Sequence, residues 1–83
     1  ERPDGYVLRG LQLRRDSKFK DALASFDKAL NLGAKSDVLI LKGMALKDLN
    51  RTDEARAVFA QALQTNPQDP AAAAMLTQVD EQN

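Results

Sequence analysis

The chain has 83 residues, which is enough for one small domain with a single modest hydrophobic core. Its twelve basic residues are balanced by twelve acidic ones, so it lacks the basic excess that nucleic-acid-binding proteins generally use. It contains neither Cys nor His, which excludes disulfides, thiolate and imidazole metal ligands, and proton transfer by histidine.

Apolar residues recur at helical spacing along the whole chain, and the helix-breaking residues fall between the apolar stretches. Residues 3–4 open a predicted first helix, which ends at the polar turn of residues 14–18. A second helix follows at once, with an apolar stripe that runs from Phe19 to Leu30. It stops in the stretch around Gly33, because glycine readily adopts the left-handed conformation that ends many helices.

The third and fourth predicted helices follow the same pattern. Ser36 or Asp37 is the predicted N-cap of the third helix, which runs through Leu49. Thr52 is the predicted N-cap of the fourth helix, which ends near Thr65. Two acidic residues follow Thr52 directly, where the positive end of the helix dipole favours them.

A strong break at residues 66–70 precedes a fifth helix. Asp69 is its predicted cap, and Pro70 occupies the first turn, where its missing N–H costs nothing. The sequence therefore predicts an all-α protein of five helices joined by short turns.

The chain also repeats itself, since the stretch at residues 21–30 returns in looser form at residues 53–63. A shift of 33 residues brings Leu13 onto Leu46 and Phe26 onto Phe59. Two helices per unit at this period indicate an α-solenoid, whose units cannot bury their apolar faces alone. The same shift brings the third helix onto the fifth, which has no second helix after it and ends in polar residues, so we expect it to cap the solenoid.

These patterns predict a single domain over residues 1–83. Its parts are a first repeat at about residues 3–35, a second at about residues 36–68, and a capping helix at about residues 69–82.

The repeat resembles the tetratricopeptide repeat family, which places a bulky residue, Gly and a bulky residue on the first helix, then Ala, Phe and Ala on the second. The matching residues are Tyr6, Gly10, Leu13, Ala22, Phe26, Ala29, Leu39, Gly43, Leu46, Ala55, Phe59 and Ala62. The closing Pro of the family pattern is present as Pro67, whereas the first unit has Gly33 and Ala34 at that turn. The period is one residue shorter than the family's usual period of about 34.

The resemblance implies a right-handed α-solenoid of antiparallel helix pairs, with two helix-turn-helix units and a C-terminal capping helix. We expect the matching positions to be packing residues, with the small side chains where paired helices approach closely. Function must then depend on the residues outside this pattern.

The first helices carry apolar residues beside the core stripe in both units, namely Val7, Leu8, Leu11, Ile40, Leu41 and Met44. In tetratricopeptide repeats the first helices line a concave groove that holds a peptide or helix of a partner, so the resemblance implies that these residues face or border it. The floor would extend over Ala73, Ala74 and Thr77, and the cations near the edge would be Arg14, Arg15 and Lys47.

Such a groove suits an amphipathic helix or an extended apolar peptide with some acidic residues. The alternative is that Leu8 and Leu41 pack within their repeats, while the others meet neighbouring repeats or a missing N-terminal segment.

Two kinds of anion site are not expected. Some relatives bind the carboxylate of a chaperone tail through Lys and Asn, but the corresponding positions here include Val7, Leu11 and Leu41. Basic residues also cluster at residues 14–20, but acidic residues interleave with them, so we expect a solvated turn.

We therefore expect a protein–protein interaction module whose partner is another protein, either a peptide or an amphipathic helix. The alternative is a self-association unit that uses the same apolar face or the open solenoid ends. We expect no enzyme, cofactor, metal, nucleic acid or small-molecule substrate, because the sequence shows neither a carboxylate pair on a pocket-forming element nor a phosphate-binding loop.

No apolar run approaches the ~20 residues that span a bilayer, so we expect a soluble protein without membrane insertion. A chain without Cys suits the cytoplasm and the periplasm alike. The chain begins at Glu1 without Met or a signal-like segment, so we expect it to be part of a longer protein or already processed.

Overall fold

The structure is a computed structural model that describes residues 2–81. The described residues form five α-helices and no β-strand. The helices are α1 (Pro3–Arg15), α2 (Phe19–Asn31), α3 (Ser36–Asp48), α4 (Thr52–Thr65) and α5 (Pro70–Glu81). The predicted all-α fold is confirmed, while the predicted end of the capping helix at residue 82 lies outside the described residues.

Each helix packs mainly on its neighbours along the chain. α1 packs on α2 and α3 packs on α4 as antiparallel pairs, and α2 and α4 each also contact the helix that follows. α3 touches α5 as well, and Arg14 of α1 forms an ion pair with Asp48 of α3, so the first helices of successive units lie side by side. The result is an all-α solenoid of antiparallel helix pairs that measures 35 × 25 × 16 Å.

Helix starts follow the sequence signals only in part. The carboxylate of Asp69 accepts a hydrogen bond of 2.9 Å from the N–H of Ala71, as expected of a cap for α5. Ser36 and Thr52 are instead the first helical residues of α3 and α4, and the residue before each forms no side-chain cap. The N-cap predictions for these two helices are therefore wrong, because Ser36 and Thr52 are the first residues inside their helices and Asp37 is the second residue inside α3.

The turns inside the two helix pairs share one backbone conformation. Ser17 and Asn50, which lie 33 residues apart, both have a φ of 63°. Asn tolerates this left-handed region better than most residues, because its side chain hydrogen-bonds locally, whereas Ser gains less from it. Gly33 also has a positive φ, 98°, which confirms the predicted left-handed residue after α2.

Replacing Ser17 with Asn is expected to raise the free energy of unfolding by about 0.5 kcal/mol. Asn is the residue found at the equivalent position 50, and it tolerates the left-handed conformation better than Ser does. Urea unfolding followed by circular dichroism measures the change. Asp16→Asn is the matched control, because Asp16 has an ordinary φ of −83° and should gain nothing. A Ser17→Asn protein no more stable than the control would contradict the prediction.

The close approach of paired helices is built on glycine and phenylalanine. Phe26 and Phe59 are fully buried, and each ring lies against a glycine of the preceding helix. A Cβ placed on Gly10 would lie 2.5 Å from Cε1 of Phe26, and a Cβ on Gly43 would overlap the ring of Phe59 in the same way. The other predicted small positions are also fully buried, namely Ala22, Ala29, Ala55 and Ala62.

α3 is the central helix and is buried on two sides. Val38 and Ala45 belong to a first core cluster with side chains of α2, whereas Leu39 and Leu46 belong to a second cluster with side chains of α4 and α5. This two-sided burial explains why α3 is apolar around most of its circumference. Within the described residues, no helix combines the length and apolar character that crossing a membrane requires.

Candidate functional site

Three first helices lie side by side, and each carries equivalent residues 33 positions apart. Residues three and four apart in a helix share one side, so these positions form rows across the molecule. We call this surface the first-helix face. Its rows are Val7 with Ile40 and Ala73, Leu11 with Met44 and Thr77, and Arg14 with Lys47 and Asp80.

The central row is the most accessible apolar part of the first-helix face. Leu11 is 41% exposed, and Thr77 is also exposed. Met44 lies between them and is half-buried, because part of its side chain packs against the second core cluster. The Thr77 hydroxyl donates a hydrogen bond to the carbonyl of Ala73. Its donor is therefore already satisfied within α5 and needs no acceptor from a bound peptide.

The row that contains Ile40 is more buried. Ile40 is 8% exposed and belongs to the second core cluster, so its side chain lies in the core rather than on an open groove. Val7 is half-buried and packs against the first cluster, whereas Ala73 is exposed. In this row only Ala73, on α5, is exposed, and its side chain is a single methyl group.

Leu8 and Leu41 are equivalent residues with different surroundings. Leu41 is half-buried and packs against the first core cluster, which includes side chains of α2. Leu8 is 59% exposed, because α1 has no described helix on that side. Leu41 therefore packs within the solenoid, in line with the alternative given for these residues.

The cations predicted at the edge are largely used within the protein. Arg14 donates through Nε to Asp48 over 2.7 Å, which joins α1 to α3. Lys47 donates through Nζ to the side-chain oxygen of Gln78 over 2.9 Å, which joins α3 to α5. Arg15 is exposed and forms no ion pair within residues 2–81.

The opposite end of the first-helix face carries carboxylates. Asp4 and Asp37 are exposed residues in the first turns of α1 and α3, and they line a recess of about 270 Å³. Asp4 precedes Arg14 by ten residues, which is about 15 Å along a helix. The face is thus apolar in the middle, acidic at one end and cross-linked by internal polar pairs at the other.

A larger recess of about 580 Å³ lies on another side of the molecule, among α2, α3 and α4. Its lining is mostly polar, and Lys42 Nζ reaches Asp27 Oδ1 across it at 2.7 Å. Sequence reasoning assigned no role to this pair, although opposite charges on consecutive helices were a usable signal. No group of three potential metal ligands occurs among residues 2–81.

The guanidinium of Arg51 is the one group among the described residues whose pKa is clearly shifted. Arg51 donates to the carboxylate of Glu54, and this hydrogen bond raises the pKa of Arg51 above its usual value. Because Arg is already fully charged at neutral pH, the shift adds no titration in the physiological range.

Comparison with known proteins agrees with this architecture. The family model of the tetratricopeptide repeat matches residues 13–79, which include both buried Phe rings and most of α5. Among curated proteins, no sequence matches this chain. Because the family model covers well over half of the residues, the chain belongs to the tetratricopeptide repeat family.

Proposed function

We propose that this protein binds a segment of a partner protein on its first-helix face, and that it acts as an interaction module rather than as an enzyme. Tetratricopeptide repeats generally mediate contacts between proteins and are generally non-catalytic. The observation that carries the proposal is the exposure of Leu11, which is 41% accessible in the central row of that face. Leu11 adjoins the half-buried Val7 on its own helix and the half-buried Met44 on the next first helix, and contiguous apolar surface of this kind marks interaction sites.

The partner segment that fits best is apolar, either an extended peptide or the apolar side of an amphipathic helix. Its anchors would lie over Leu11 and Met44. An acidic partner residue would have to compete with Asp48 for Arg14, so exchanging this half-buried ion pair for a similar one with the partner would add little affinity. We therefore expect binding to depend weakly on salt concentration.

Self-association through the same face is the second candidate, because a copy of the chain could also cover Leu11. Sedimentation equilibrium distinguishes the two. A partner-binding module stays monomeric without its partner, whereas a self-assembly unit forms dimers that Leu11→Gln disrupts. The solvent exposure of Leu11 makes this substitution suitable for both measurements.

Peptides selected from a random display library on the wild-type protein are expected to lose affinity by about tenfold or more on the Leu11→Gln protein. Thr77→Arg should have a similar effect, because it places a long charged side chain in the same row. Leu32→Gln is the matched control, since Leu32 is also exposed (36%) but follows α2, away from the first helices. Fluorescence anisotropy gives the affinities.

Circular dichroism tests whether a loss of affinity comes from unfolding. All three variant proteins should retain the helicity and melting temperature of the wild type, because the substituted positions are exposed. Peptides that bind Leu11→Gln and Thr77→Arg as tightly as the wild type would contradict the proposed face. So would peptides that lose affinity only with Leu32→Gln.

A further inference from the structure

A small recess of about 250 Å³ lies between the first two helices, and we call it the α1–α2 recess. It is lined by Tyr6, Arg9, Ala24, Ser25 and Lys28. A second recess of about 380 Å³ shares two of these residues and adds Arg2 and Gly5. Three cationic side chains therefore line the two adjoining recesses, and no carboxylate of the described residues lines either one.

The positive charge of this site is not neutralised by neighbouring side chains. Its three cations form no ion pair within residues 2–81. Asp4 lines a different recess, beside α3, and Asp21 lines neither of the two. Asp27 pairs with Lys42 of α3 at 2.7 Å. Because the whole chain has a formal net charge of zero, the positive charge here is a local feature.

Ser25 is the buried polar residue of the α1–α2 recess. It is only 8% exposed, and its hydroxyl forms no hydrogen bond with the described residues. No unbonded side-chain oxygen among these residues is fully enclosed, so the Ser25 hydroxyl opens into the recess that it lines. A hydroxyl with so little access to water gains from a ligand that accepts its hydrogen bond.

The equivalent surface of the second unit has a different composition. A shift of 33 residues carries Ser25 onto Val58 and Lys28 onto Gln61. Val58 is 9% exposed and belongs to the second core cluster, against which Leu23 of α2 packs. A surface that received another helix in this way would favour an apolar side chain at position 25. The hydroxyl and the cation found in the first unit favour a polar, negatively charged ligand instead.

We infer that the α1–α2 recess binds the phosphate of a phosphorylated side chain in a partner protein. Arg9 and Lys28 donate charge-assisted hydrogen bonds to the phosphate oxygens, and the Ser25 hydroxyl donates another from the buried side. A phosphate monoester carries about two negative charges at neutral pH, which these cations match better than they match a single carboxylate. Arg2, in the adjoining recess, lies beside the peptide segment that carries the phosphate.

The size of the recess favours one functional group of a larger molecule. Its volume of about 250 Å³ is below the range of about 300–1,000 Å³ that is typical of small-molecule pockets. The inference rests on the general role of tetratricopeptide repeats in contacts between proteins. It does not rest on the first-helix face, because none of the residues that line the α1–α2 recess belongs to the rows of that face. Leu11→Gln should leave phosphate binding unchanged.

The probe is a short peptide with a single phosphoserine flanked by glycines, titrated into the ¹⁵N-labelled protein and followed by NMR. The backbone amides of Tyr6, Arg9, Ser25 and Lys28 are expected to shift and to saturate at one peptide per protein. The same peptide with glutamate is expected to bind more weakly by about fivefold or more, because it carries a single charge. Inorganic phosphate alone should also bind more weakly, since it lacks the peptide that lies beside Arg2.

Arg9→Gln and Lys28→Gln are each expected to weaken binding of the phosphoserine peptide by about fivefold or more. Ser25→Ala should weaken it by about threefold or more, which is the usual effect of losing one neutral hydrogen-bond donor. Arg15→Gln and Lys20→Gln are the matched controls, because both positions are exposed on the same two helices and line neither recess. They remove the same charge and should change the affinity by less than about twofold. Circular dichroism checks that each variant keeps its helicity.

Any one of four results would overturn the inference. The first is the absence of a saturable shift with the phosphoserine peptide. The second is equal affinity for the glutamate peptide, which would make the site one for acidic segments in general. The third is equal affinity for inorganic phosphate, which would indicate an adventitious ion only. The fourth is a loss of affinity in Arg9→Gln and Lys28→Gln no larger than in the two controls, which would indicate diffuse surface charge.

Discussion

Replacing Ile40 with Gln is expected to lower the free energy of unfolding by about 2–4 kcal/mol. Ile40 is 8% exposed and belongs to the core cluster that joins α3 to α4 and α5. The substitution removes buried apolar contacts and introduces an amide among apolar side chains. A domain of this size has a total stability of roughly 4–12 kcal/mol, so the loss would be a large part of it.

Leu11→Gln is the matched control for Ile40→Gln, because it makes the same kind of change on the same face of the neighbouring first helix. Leu11 is 41% exposed, and its replacement should stay within about 0.5 kcal/mol. Urea unfolding followed by circular dichroism measures both. Equal large losses would place Leu11 in the core and remove the anchor of the proposed partner-binding face. Equal small losses would show that Ile40 lies on the surface.

Replacing Gly43 with Ala is expected to destabilise the protein by about 1–2 kcal/mol, which is the opposite of the usual effect of this substitution in a helix. The new methyl group would overlap the ring of Phe59, which is fully buried and cannot move without displacing α4. Overfilling a core costs roughly 1–3 kcal/mol, and the direct overlap with a fully buried ring places this site at the upper end of that range; the better helix propensity of Ala returns about 1 kcal/mol.

Gly5→Ala is the control for Gly43→Ala, because Gly5 is also a helical glycine, but a methyl group placed on it would have nothing within 4 Å among the described residues. It should stabilise the protein by about 0.5–1 kcal/mol, since Ala loses less backbone entropy on folding. Thermal unfolding compares the two, with about 4–8 °C expected for each kcal/mol. A shift of the same sign in both proteins would show that the ring of Phe59 does not constrain position 43.

The glycine contacts also explain a difference within the chain. At the position equivalent to Gly10 and Gly43, α5 carries Leu76. Gly is needed on α1 and α3 because each is followed by a helix whose Phe ring lies against it. No such ring lies against α5 among the described residues, and Leu76 packs instead against the second core cluster.

Much of the fold could be predicted from the sequence, because its determinants are local or periodic. Helical spacing of apolar residues, the break at residues 66–70 and the 33-residue shift were sufficient for five helices in two pairs and a further first helix. Gly33 and Asp69 marked a helix end and a helix start correctly. Ser36 and Thr52 did not cap their helices, because each helix begins one residue earlier than the sequence signal indicates. Sequence signals locate helix ends only to within one or two residues.

The electrostatic character of the candidate site could not be predicted in the same way. The sequence contains Arg14, Lys47 and Asp48, but it does not state which of them meet. Only the side-by-side placement of the first helices brings Arg14 to Asp48 and Lys47 to Gln78. These contacts change two expected partner-binding cations into links between neighbouring helices.

By itself, the sequence determined that two equivalent apolar triplets lie beside the core stripe, namely Val7, Leu8 and Leu11, and Ile40, Leu41 and Met44. Only the tertiary structure decided which of them are exposed. α3 is flanked by helices on both sides, so Ile40 is buried and Leu41 and Met44 are half-buried. α1 has a described neighbour on one side, so Leu8 and Leu11 remain exposed. The residue types and spacing are alike, and the difference arises because burial depends on which helices pack against each unit.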